Sequence, residues 1–161
     1  MLKSMSFAGA LIAVFLTADQ PALAKDGLAG ALKITHAHAD PTPNGARTGE
    51  GFVVIANTGR VADRLVGASS PAAGAVEIHH MSTAGGVMSM RQVPAVDLPA
   101  GQTLDLQKTG YHLMFVGLKQ SFKAGQAVRL TLRFVHAPKA EVSLAVTAPT
   151  MSGGMAGMPG M

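Results

Sequence analysis

The chain has 161 residues, a formal net charge of +4, a single Tyr, no Trp and no Cys. Without cysteine it can form no disulfide, no thiolate-based blue-copper centre, no cysteine-rich zinc site and no cysteine nucleophile. Its basic residues are scattered and stacking aromatics are scarce, so no nucleic-acid partner is expected.

The chain opens with Lys3, an apolar run over 7–16 and the small-residue pattern Ala22-Leu23-Ala24. This reads as a secretory signal peptide, 1–24, cleaved after Ala24. The run is too short to span a bilayer, so export without stable membrane insertion is expected. The mature part then divides into one domain, 25–149, and a tail, 150–161.

Within the domain, 32–38 alternates with period two and predicts a half-buried strand. Pro41 to Gly45 is a turn; 51–57 is a short apolar run that suits a buried strand, and 61–68 is a further candidate. Segments 75–81 and 87–93 flank a Gly-containing link and predict a hairpin. Shorter strands are expected over 103–107 and 111–116. Segment 127–135 sets Val128, Leu130, Leu132 and Phe134 against Arg129, Thr131 and Arg133, the clearest amphipathic strand of the chain, and 141–147 follows in the same style. About nine short strands between turn signals, with no helical period, predict an all-β sandwich. The tail, MSGGMAGMPGM, is built from Gly and small residues around Met151, Met155, Met158 and Met161, and is expected to be unstructured yet able to capture soft metal.

Four soft or borderline metal ligands stand out: His79, Met90, His112 and Met114. A hairpin centred between Ala84 and Gly85 would place His79 opposite Met90, with Cβ atoms roughly 4.5–5.5 Å apart. His112 and Met114, two apart on a strand, share a face. Two imidazoles and two thioethers are a neutral, soft set that suits Cu(I), whereas zinc prefers thiolate or more imidazole, and calcium and magnesium prefer oxygen. Taken singly, each Met is more often a core filler and each His a hydrogen-bonded structural residue; it is the joint pattern that points to a metal. His80 is expected to face away from His79. Met88 is expected to cover the site as an apolar neighbour, with a spare ligand as the alternative. His36 and His38 are expected to be surface or edge residues, with a weaker second metal site as the alternative, and His136 is assigned no role.

The spacing His79, ten residues, Met90, twenty-one residues, His112, one residue, Met114 resembles the H-x10-M-x21-H-x-M signature of PCu(A)C-type periplasmic copper chaperones. The flanking text, Val76-Glu77-Ile78-His79, Gly86 to Arg91, Pro99-Ala100-Gly101, Gly110 to Met114 and Gly117-Leu118, agrees over about 32–147. Two positions depart from it: His80 stands where members often have Glu, and Ala37-His38-Ala39-Asp40 where members often have Ala-Trp-Ala-Arg. The resemblance implies a cupredoxin-like or immunoglobulin-like Greek-key β-sandwich. It implies one Cu(I) per primary site, extra copper at the Met-rich tail, and a monomeric, non-enzymatic carrier in the periplasm. Its partner would be a copper-accepting protein such as the oxidase copper-site subunit, the ion passing towards the dinuclear copper centre of cytochrome c oxidase. Two alternatives use the same residues differently: a copper sequestration or resistance protein, and a metal-free secreted immunoglobulin-like interaction module.

Overall fold

A computed structural model describes residues 26–148, so the expected signal peptide and the Met-rich tail lie outside the described residues. Eleven strands and no helix make up the described chain. They are β1 (Gly27–Ala29), β2 (Leu32–Ala39), β3 (Thr48–Asn57), β4 (Asp63–Ser69), β5 (Ala73–Ala84), β6 (Val87–Gln92), β7 (Val96–Leu98), β8 (Thr103–Asp105), β9 (Tyr111–Leu118), β10 (Ala127–Phe134) and β11 (Ala140–Val146).

Seven of these strands close on themselves, in the order β2, β11, β10, β4, β5, β9, β3 and back to β2. The β11–β2 contact is parallel; the other pairings are antiparallel. Closure removes most exposed sheet edges. The remaining short strands attach to the ring: β1 to β2, β8 to β3, β7 to β4 and β6 to β5. Alternating residues fill the interior, including Leu32, Ile34, Val53, Ile55, Leu65, Leu113, Phe115, Leu130, Leu132 and Leu144, all essentially inaccessible. In β10 the expected inward set, Val128, Leu130, Leu132 and Phe134, is the buried one.

Three features depart from the pattern read in the sequence. First, β1 and β7 are three residues each, too short to carry a period. Second, β3 begins at Thr48, because Gly49 and Gly51 sit where neighbouring rings approach the backbone. A Cβ at Gly51 would lie 2.9 Å from the Phe115 ring, and one at Gly49 would lie 3.0 Å from Phe122. Third, β2 is not regular: its register against β3 shifts between Thr35 and His38, and His36 adopts a positive φ of 50°. That bulge switches the buried parity from Leu32 and Ile34 to Ala37 and Ala39.

Candidate metal centre

Strands β9 and β5 run side by side beneath the candidate centre. His112 of β9 pairs directly with His79 of β5, and Met114 pairs with Glu77. On the other side of β9, Met114 pairs with Glu50 of β3. One outer face therefore carries two neighbouring rungs: Glu50, Met114 and Glu77 on one, His112 and His79 on the next.

The hairpin β5–β6 extends this face, but with a register different from the expected one. Ala84 pairs with Val87, so the turn is Gly85-Gly86, and His79 lies opposite Gln92 while Met90 lies opposite Met81. Both turn glycines have positive φ, 58° and 78°, as a two-residue type I′ turn requires. The displacement amounts to two residues, one full side-chain period, so Met90 keeps the face of His79 and becomes its diagonal neighbour. The hydrogen bond between the Ser82 and Ser89 hydroxyls, 3.1 Å apart, belongs to the opposite face and fixes the same alternation.

The side chains converge. His112 Nε2 lies 3.3 Å from Met90 Sδ, and the His79 and His112 ring centres are 5.8 Å apart. Nitrogen and sulfur ligands at about 2.0 and 2.3 Å from one tetrahedral ion are roughly 3.5 Å apart. Two imidazoles on one ion have ring centres at most about 6 Å apart by the same bond lengths. Both observed separations fit a shared ion. Met114, on the adjacent rung, is half-buried and reaches the same face from one strand period away.

Burial and hydrogen bonding act differently on the two rings. His112 is 2% exposed. Burial pushes its pKa below the ordinary value of 6.5, nearby Glu50 works against that shift, and His79 and His80 add to it. The ring is therefore neutral at pH 7 and keeps a lone pair. His79 Nε2–H donates to Glu77 Oε2 at 2.8 Å. Because the carboxylate only accepts, this bond selects the tautomer of the neutral ring that has its lone pair on Nδ1. His79 Nδ1 is buried and has no hydrogen-bond partner. A buried acceptor left unpaired costs about 1–3 kcal/mol, and a bound metal would use it.

Among the described residues no three His, Asp or Glu side chains converge on a common point, so an ion held here would need the thioethers to complete its coordination. The remaining histidines stand apart. His80 stacks on Tyr111 with ring centres 4.5 Å apart. His38 stacks on Phe52 at 5.3 Å, and Phe52 in turn lies 6.4 Å from His112. His36 is exposed and bonds the Thr35 hydroxyl. Met88 is 66% exposed, so it covers nothing, contrary to expectation. Three residues beside the four candidate ligands, none of them counted among those ligands, were not singled out from sequence. Glu77 was legible, two residues before His79 on the same face; Glu50 and Met81 become neighbours only through strand pairing.

A closed β-fold with a soft His/Met cluster on one outer face defines the class. Residues 32–146 match the family described as "Putative lipoprotein LpqE-like", and the chain belongs to that family. It is 36% identical over 96 residues to "Putative lipoprotein Lxx21020" of Leifsonia xyli subsp. xyli, a match spanning 59% of this chain and 58% of that relative. Among solved structures, the copper-bound PCuAC domain of PmoF2 superposes with a TM-score of 0.66 at 23% identity, covering 77% of this chain and 98% of that one. The solution structure of CuI-DR1885 from Deinococcus radiodurans has a TM-score of 0.58 at 28% identity, covering 76% of this chain and 80% of that one. The fold is thus that of PCuAC domains. Among the described residues no helix is long and apolar enough to cross a membrane.

Proposed function

We propose that this protein is an exported Cu(I) carrier of the PCu(A)C type, which holds one Cu(I) as cargo through His79, Met90, His112 and Met114 and passes it to a copper-accepting protein. The observation that carries the reading is the approach of His112 Nε2 to Met90 Sδ beside an unpartnered His79 Nδ1. Two neutral imidazoles and two thioethers favour the soft monocation over Cu(II) and release it to a thiolate acceptor more readily than a thiolate site would. Glu77 holds the His79 ring in position, and with Glu50 it supplies negative charge beside the bound cation. No bond is made or broken in the cargo, so the protein needs no catalytic group.

The same reading places the chain in the periplasm after cleavage behind Ala24, as a monomer with a cupredoxin-like Greek key. Its acceptor is the copper-site subunit of cytochrome c oxidase, and its Met-rich tail takes up additional copper. None of the 161 residues is a cysteine, so none can carry a thioether- or thioester-linked lipid.

Anaerobic Cu(I) titration against a competing chelator, with X-ray absorption of the loaded protein, tests the site. The expected result is one tight equivalent with mixed nitrogen and sulfur coordination. No tight equivalent, or oxygen-dominated coordination, would overturn it. Incubation with an oxidase copper-site domain tests delivery: retention of copper by this chain would instead favour sequestration.

A further inference from the structure

The inner end of the metal centre is buried, but the ligand face does not stop there. It runs out along the β5–β6 hairpin as a series of thioethers that the four-residue site does not use. Met81 lies directly opposite Met90, so their Cβ atoms are about 4.5–5.5 Å apart. Met88 is two residues beyond Met90 and pairs with Thr83, which puts it on the same face and diagonal to Met81. Exposure rises outward in steps, from His112 at 2% to Met81 at 37%, Met90 at 49% and Met88 at 66%. Every residue of β6 is exposed, and β5 is the strand it pairs with, so the hairpin end buries little apolar surface and gives these methionines no core to fill. Of the eight exposed large hydrophobic residues among those described, four lie on this one hairpin, and three of them (Met81, Met88 and Met90) share this face. Exposed apolar residues normally occur singly, and a cluster marks a contact or ligand site.

We propose that Met81, Met88 and Met90 form an outer, all-thioether Cu(I) position through which the ion enters and leaves the inner His79/His112 position. Met90 is common to both. Its sulfur already touches His112 Nε2, so an ion held by Met81 and Met90 reaches the imidazoles by exchanging sulfur for nitrogen one ligand at a time, without becoming free in solution. The step is ligand exchange alone: Cu(I) stays Cu(I), and no electron or proton donor is required. A Met can swing through three rotatable bonds, which suits a ligand that must let go. The outer position is weak because it lacks imidazole and is open to water. The inner position is tight because it is buried and completed by two histidines. The proposal rests on the Cu(I) reading of the inner site.

The test uses the full chain with 13C-labelled methionine methyl groups and Ag(I) as a diamagnetic stand-in for Cu(I). In the His79→Ala/His112→Ala variant, Ag(I) is expected to shift the Met81, Met88 and Met90 methyl signals together with weak affinity. Shifts confined to the tail methionines, or to Met90 alone, would overturn the outer position. In the otherwise unchanged chain, Met81→Leu/Met88→Leu is expected to leave equilibrium Cu(I) affinity within about threefold, less than loss of a supporting shell residue causes, while slowing transfer to a thiolate chelator about tenfold or more. Unchanged transfer would also overturn it. Failure of the parent chain to bind Cu(I) at all would sink the inner site instead, so the two failures are distinguishable. These methionines are exposed, and Leu keeps their apolar bulk, so folding is preserved.

Discussion

Two of the polar centres in this fold are built on opposite principles. Asp63, at the start of β4, is 6% exposed and saturated. Its carboxylate accepts backbone N–H bonds from Arg64, Val135, His136 and Ala137, at 2.7–3.1 Å, and His136 Nδ1 lies 3.5 Å away. It stitches the end of β10 to β4. In the His79/His112 centre His112 is buried in the same way and His79 is half-buried, yet the centre keeps a buried ring nitrogen without a partner and a sulfur against an imidazole. A polar group that serves the fold has its hydrogen bonds made; a buried polar atom without a partner calls for another explanation. The saturated centre should therefore govern stability and the unsaturated one copper, and each can be broken without the other.

Asp63→Ala should give the largest stability loss, about 3 kcal/mol or more, because it strands several N–H donors that had a charged acceptor. Urea denaturation measures this, and the folded fraction should still bind Cu(I) one to one. The converse variant is Met90→Leu. It should lower Cu(I) affinity by about a hundredfold or more while changing stability by less than about 0.5 kcal/mol, since the side chain is half exposed. Loss of stability without loss of copper there would make Met90 a packing residue. Glu77→Gln should have an intermediate effect, lowering affinity about tenfold through loss of the carboxylate that orients His79, with the ligand count in X-ray absorption unchanged.

The same contrast separates the two centres by pH. Burial by itself raises the Asp63 pKa, but the backbone donors of His136, Arg64 and Ala137 and the charge of His136 outweigh it and hold the group below 3.8. Its contribution is thus complete above 3.8 and is lost as pH falls from there through the lowered value. His112 is depressed below 6.5, so protons compete with copper at that ring only as pH falls through its lowered value. Between neutral pH and the acid unfolding of the chain, copper affinity should drop first while the urea midpoint stays nearly level. Simultaneous loss would mean that the centres are coupled. The smallest effect on copper concerns the turn: Gly86→Ala forces a positive φ of 78° on an L-residue and should cost roughly 1–2 kcal/mol of stability, with copper binding kept by the folded form.

Much of this was legible locally. The absence of cysteine and the His and Met types constrain the chemistry without coordinates. The period-two segments locate β10 and β11 closely because one face of each is buried. The face shared by His112 and Met114 follows from the pleat alone. The pairing of His79 with Met90 was read correctly in face but wrongly in register. The Gly85-Gly86 dipeptide is itself a signal for a tight turn, and it moves the centre of the hairpin by one position and the pairing by two. Burial could not correct the slip, because every residue of β6 is exposed and any even displacement preserves the alternation. The bulge at His36 was similarly invisible, since a run of alternating residues does not announce the one that is skipped.

By itself, the sequence determined which soft side chains are available, which of them share a strand face, and that their softness suits Cu(I), because side-chain chemistry and the two-residue strand period are properties of neighbours along the chain. Tertiary structure alone decided that β9 lies between β3 and β5, bringing His112 against His79 and flanking Met114 with Glu50 and Glu77. It also decided that Met81, not His79, faces Met90. Those relations join residues distant along the chain, and they are fixed by how the strands close around one core and by which glycines turn the hairpin.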